Sequence, residues 1–113
     1  MISRGEIIIV DFEPVRGSEQ GGIRPAIVIQ NNVYNQYSPV IIVAAITSKN
    51  FTKIFPTNVF LSKKDSKLKL DSTILLNQLR TIDKSMIKKR ISKLDSHLMF
   101  QVEAAIKISL GLD

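Results

Sequence analysis

Three places in this 113-residue chain hold side chains whose type and spacing could do chemistry. The first is Arg24, followed at once by Pro25. A guanidinium offers a planar fork of donors matched to phosphate or carboxylate. The proline confines Arg24 to an extended backbone and so sets where its side chain departs. The competing reading is a surface arginine in a salt bridge. The second is Thr47-Ser48, two hydroxyls directly after the apolar run Val40 to Ile46. A strand end holds a side chain rigidly while the adjoining loop exposes it, although capping hydroxyls also sit there. The third is Arg16-Gly-Ser-Glu-Gln-Gly-Gly22, a glycine-bracketed stretch with no apolar residue. It lacks the Gly-Lys-Ser/Thr ending of a nucleotide-binding loop, which leaves two readings, a hairpin connection or a mobile lid over a ligand.

Other chemistry is thin. There is no cysteine, so disulfides, thiolate metal sites and a cysteine nucleophile are excluded. The single histidine, His97, excludes any mechanism needing two imidazoles and argues against a histidine metal site. It reads as an exposed residue near a helix start, and Met86 and Met99 read as core fillers.

The elements that must hold these groups follow from hydrophobic patterning. Ile7 to Phe12 is a β-branched run stopped at Pro14. Ala26 to Gln30 predicts a second strand, and Val40 to Ile46, apolar on both faces, predicts a central third. Asn31 to Tyr37 reads as a turn or short helical loop, and Asn58 to Leu61 as a short strand. A lysine-rich segment follows it. Ser72 to Leu76 and Gln78 to Ile82 give one long strand or two with a bend. Asp95 is placed to cap a helix running through Leu110, with Leu98, Val102, Ala105, Ile106, Ser109 and Leu110 as its buried stripe and Gly111 as its stop. Five or more short strands and a terminal helix predict a single domain over residues 1–113, mainly β, in which a helix lies against a small barrel.

Composition is that of an ordinary globular chain, 44% hydrophobic and 23% charged. The longest apolar run, seven residues from Val40 to Ile46, is far below the roughly 20 that a membrane span needs. The N-terminus has no signal-peptide core, and a cytoplasmic location is the expectation. Charge is unevenly spread. Residues 1–48 hold three basic side chains against four acidic, residues 49–93 twelve against three, and the last twenty one against three. A basic middle of net +9 on a chain of net +6 is the footprint of a polyanion-binding face, or else a solvated lysine-rich loop.

An ordered series of segments adds to this reading. It runs from Arg4-Gly-Glu-Ile through Val10-Asp11 and Pro14 to Arg16-Gly-Ser-Glu-Gln-Gly-Gly22, then Arg24-Pro-Ala-Ile-Val-Ile-Gln-Asn-Asn32 and Ser38-Pro39. It continues with Ala44-Ala-Ile-Thr-Ser48, Pro56-Thr-Asn-Val59, Asp71-Ser72, Gln78-Leu-Arg-Thr-Ile-Asp-Lys84 and Ile106-Lys-Ile-Ser-Leu-Gly-Leu112. Together these resemble the MazF/PemK/Kid family of toxin ribonucleases across almost the whole chain. The resemblance implies an SH3-like β-barrel with a C-terminal helix, acting as a homodimer and needing neither metal nor cofactor. It implies an endoribonuclease that cuts single-stranded RNA at short sequences, leaving a 2′,3′-cyclic phosphate and a 5′-hydroxyl, and that is restrained by an antitoxin with a disordered tail. The family's catalytic pair maps onto Arg24 and Thr47. Its mobile loop maps onto Ser18, Glu19 and Gln20, and its RNA contacts onto Asn31, Asn77 and Gln78. The chain departs from the pattern at Ile8-Ile9, where many relatives carry aromatic residues, at Asn77, where acidic residues are frequent, and in its lysine-rich loop. The rival reading is a non-enzymatic gyrase poison of the CcdB type. Those toxins grip their target through a tail containing tryptophan, and this chain has no tryptophan and ends Ser109-Leu-Gly-Leu-Asp113.

Overall fold

The computed structural model describes residues 1–12, 22–49, 51 and 53–113. Its strands are β1 (Glu6–Asp11), β2 (Ile23–Val28), β3 (Val40–Thr47), β4 (Asn58–Leu61), β5 (Ser72–Asp83) and β6 (Ile87–Lys93). Its helices are α1 (Asn32–Tyr37), α2 (Lys63–Ser66) and α3 (Ser96–Leu110), with a 3-10 turn at Lys84–Met86. The strands form one sheet in the order β4-β5-β3-β2-β1-β6, and every pairing is antiparallel.

Strands β1, β2 and β3 are apolar on both sides because both sides are covered. Ile7, Ile27, Ala44 and Ile46 belong to one buried cluster, while Ile8, Ala26, Val28, Ile41 and Val43 belong to another. The alternation of strand side chains between faces puts these two sets on opposite sides of the sheet. Helix α3 seals the first cluster with Leu98, Val102 and Ala105, which meet Val59, Leu61, Ile74 and Leu76. The Asp95 carboxylate accepts the Leu98 N–H at 2.9 Å, and Gly111 ends the helix at φ +69°. The buried stripe stops at Ile106. Leu110, expected to close it, is 55% exposed, because the helix has by then run past the sheet.

The barrel expected from the sequence is an open sheet that approximates one. Among the described residues no strand pairing joins β4 to β6. Instead α2, which follows β4, meets β6, and the Ser92 hydroxyl donates to the Ser66 carbonyl across the gap. Strand β6 lies in a segment without predicted structure. Its sequence Ile-Lys-Lys-Arg-Ile-Ser-Lys carries only two apolar residues, since an edge strand needs little burial and its lysines discourage pairing with other chains. Helix α2, expected as lysine-rich loop, is capped by the Ser62 hydroxyl on the Asp65 N–H at 3.1 Å. Strand β5 is continuous but irregular. Ala44 pairs with Leu79 and Ala45 with Leu75, so residues 76–78 bulge out of the β3 ladder.

Candidate active site

Arg24 is the second residue of β2 and Thr47 the last of β3. The ladder between these strands pairs Val28 with Val43, Ile27 with Ala44 and Ala26 with Ala45. It stops one residue short of Pro25, which has no N–H to donate. Carried two residues further, the same register sets Arg24 opposite Thr47, on the side of the sheet that carries Ala26, Val28 and Val43.

The two differ in surroundings. Thr47 is 8% exposed, and its hydroxyl oxygen accepts the Lys49 N–H at 3.2 Å. It lines a cleft of ≈ 250 Å³ with Lys49, Phe51, Phe55, Asn77 and Gln78. Arg24 is exposed and lines a wider hollow of ≈ 700 Å³. Ile9, Ile23 and Ile46 are among the apolar residues of that hollow, and Lys67, Lys69 and Lys89 are its other cations. Ser48 lines this second hollow, as the alternation from Thr47 requires. Arg24 lines it too, although the register puts its Cα opposite Thr47, so Arg24 and Thr47 stand at neighbouring strand ends but line different hollows.

Of the other residues singled out from the sequence, Asn77 and Gln78 join Thr47 because the β5 bulge projects them into its cleft. Asn31 does not join them. It lies beyond the end of β2 opposite Arg24, and its carboxamide oxygen caps α1 by accepting the Tyr34 N–H at 2.9 Å. Ser18, Glu19 and Gln20 lie outside the described residues. His97 is an exposed residue of the first turn of α3, beside the Gln101 amide at 3.1 Å.

The basic excess divides by task. Lys49, Lys67, Lys69 and Lys89 stand around the two hollows. Arg80 lies over the Phe12 ring at 5.0 Å, Arg90 pairs with Glu6 at 2.6 Å, and Lys84 donates to the Asn35 carbonyl at 2.6 Å, so these three brace the fold. Among the described residues no cluster of His, Cys, Asp or Glu could hold a metal ion. Sequence reasoning passed over Phe51 and Phe55. Their signal is the run Lys49-Asn-Phe-Thr-Lys-Ile-Phe55, in which cations alternate with aromatic rings.

A single antiparallel sheet sealed by a C-terminal helix, with a guanidinium and an alcohol at adjacent strand ends, defines a small β-rich fold. Solved structures share this architecture. A MazF crystal structure from Deinococcus radiodurans superposes with a TM-score of 0.82 at 25% identity, covering 98% of this chain and 97% of that one. An endoribonuclease from Mycobacterial species, solved in complex with its cognate antitoxin, shares the fold with a TM-score of 0.83 at 18% identity, covering 100% and 98% of the two chains. The family model of PemK-like, MazF-like toxins of type II toxin-antitoxin systems matches residues 3–110. Endoribonuclease MazF of Staphylococcus epidermidis is 49% identical over 113 residues, all of this chain and 94% of that protein. The chain belongs to the PemK/MazF family of toxins.

Proposed function

We propose that this toxin is an endoribonuclease that cuts single-stranded RNA, chiefly mRNA, without a metal ion, and so halts translation and growth. The observation that carries the reading is 49% identity, over the entire chain, to an endoribonuclease. The RNA supplies its own nucleophile. Its 2′-hydroxyl gives up its proton as the oxygen attacks the adjacent phosphorus. The bond from phosphorus to the 5′-oxygen breaks, and that oxygen takes up a proton, so none is gained or lost overall. The products are a 2′,3′-cyclic phosphate and a 5′-hydroxyl, and no water is consumed. The protein has then to align the attack and hold the charge that gathers on the phosphate.

Arg24 and Thr47 are the pair proposed for this work. The register that sets them opposite each other supports a joint grip on one phosphate. The Thr47 oxygen already accepts from a backbone N–H, which leaves its own proton to be donated to a phosphate oxygen. Arg24 supplies charge and two-point donation, and helps the leaving group. Guanidinium loses its proton only above pH ~12, which makes it a poor base. The segment Ser18-Glu19-Gln20 is proposed to close over the substrate, and the amides of Asn77 and Gln78 to read base edges. Asn31 reaches the same RNA only from a second copy of the chain, which fits the homodimer proposed here. The remaining partner is a cognate antitoxin with a disordered tail, and the site of action is the cytoplasm. Purified protein incubated with single-stranded RNA in chelator should yield fragments whose 5′ ends accept phosphate from polynucleotide kinase directly. Intact RNA, or fragments carrying a 5′-phosphate, would refute the mechanism.

A further inference from the structure

We infer that the cleft beside Thr47 is a stacking pocket for one unpaired base of the RNA, the base next to the scissile phosphate, held by Phe55 and Phe51. The inference rests on the nuclease reading above and adds the residues that grip the base. Phe55 is 45% exposed and Phe51 37%, and both line the same cleft as Thr47. An aromatic ring left half in water in the cleft that Thr47 also lines offers a face on which any base can stack. Lys49 sets its ammonium over the Phe51 ring at 5.8 Å, which brings a cation to the same wall.

The cleft continues into a second hollow, also of ≈ 250 Å³, with which it shares Lys49, Phe51, Phe55 and Asn58. That extension adds Lys53 and Phe60, the latter 64% exposed. Its one acidic residue, Asp71, accepts the Lys63 N–H at 2.8 Å. Each hollow has room for about eight waters, enough for a planar heterocycle. Aromatic faces, flanking ammonium groups and the Asn58 and Asn77 amides are the set that recognises a splayed base with its phosphate. The choice of RNA over a protein segment follows from that set and from its continuity with Thr47.

The test begins by mapping one cut site in a long RNA. Short RNAs spanning it are then made with a single abasic nucleotide at each successive position. Wild type, Phe55→Ala, Phe55→Leu, Phe55→Tyr and Phe51→Ala are compared on every substrate. At one position next to the cut, the missing base should cost wild type about five- to hundredfold, chiefly in KM. Phe55→Ala should lose a similar factor on intact RNA and nothing further on that abasic RNA. Phe55→Tyr should cut like wild type and Phe55→Leu like the alanine variant, while all four variants melt as wild type does. The proposal is overturned if the two losses multiply at every position, or if Phe55→Ala and Phe55→Leu cut like wild type. It is equally overturned if those variants weaken only the capture of an acidic antitoxin peptide. Failure of wild type to cut any RNA would remove the nuclease reading and this one together. Cutting without coupling would remove this one alone.

Discussion

The two side chains proposed to grip the phosphate reach their places by different physical routes. Thr47 is drawn in at the end of a buried strand, and the Lys49 N–H fixes its hydroxyl. Arg24 is held out by an extended backbone ahead of Pro25. Loss of either donor should then cost catalysis more than folding. Arg24→Ala and Thr47→Ala are each expected to slow single-turnover cleavage by about 10²-fold or more, the scale of removing one oxyanion donor. Thr47→Ser should keep most of the rate because it keeps the hydroxyl, and Arg24→Lys should not, because an ammonium cannot make the two-point contact. That both positions lie at strand ends was legible in the sequence, while their proposed pairing comes from the family resemblance. Asn31 caps α1 at the other end of β2, a placement the sequence could not show because an asparagine that caps a helix and one that reads a base look alike there. Phe51 and Phe55 escaped because aromatic residues in a loop resemble stray core residues when each is weighed alone.

Among the helices and strands, local capping decides where secondary structure begins. Asp95→Ala removes the acceptor for the Leu98 N–H at the head of α3 and should lower stability by about 1 kcal/mol, read from denaturant unfolding. Asp83 caps the 3-10 turn before β6 in the same way, accepting the Ser85 N–H at 2.8 Å. That N–H and the Ser85 hydroxyl hold its carboxyl below the ordinary value of 3.8. Because the pKa is lowered in the folded chain, the stabilisation is present above the ordinary value and disappears as pH falls through the lowered one. Thermal unfolding followed into the acid range should therefore show a smaller loss of stability for Asp83→Asn than for the native chain, and a loss of the same size would contradict this. Strands with a covered face could be located from sequence, as Asn58 to Leu61 was to the residue. Strand β6 could not, because an edge strand answers to its neighbour's backbone and its own side chains carry little pattern.

Across the molecule, several exposed lysines and part of the exposed apolar surface meet around the hollows. The Val40 to Ile46 run, rich enough in apolar residues to suggest a partner, is mostly spent within the chain on the two buried clusters. Part of the apolar surface left outside lies on the outer side of α3, at Phe100, Ile108 and Leu110, and on α1, at Val33, Tyr34 and Tyr37. Part lines the hollows, at Ile23, Phe51, Phe55, Phe60 and Leu70. Lys67, Lys69 and Lys89 gather around the hollow that Arg24 lines. If they hold RNA phosphates, log affinity should fall steeply with log salt, and replacing all three with glutamine should flatten the slope by about 0.7 for each phosphate no longer neutralised. An unchanged slope would take this hollow off the RNA path. The basic middle was plain in the sequence. Its division into cations that face the hollows and cations that brace the sheet needed the fold.

Arg24 and Thr47 are proposed to act on one phosphate as a unit. A double-mutant cycle in single-turnover cleavage measures this directly, with wild type, Arg24→Ala, Thr47→Ala and the double variant on one RNA. Groups that work together lose most of their effect once either is gone. The double variant should therefore be scarcely slower than the slower single variant. Losses that multiply in full would mean that the two side chains work independently and share no phosphate.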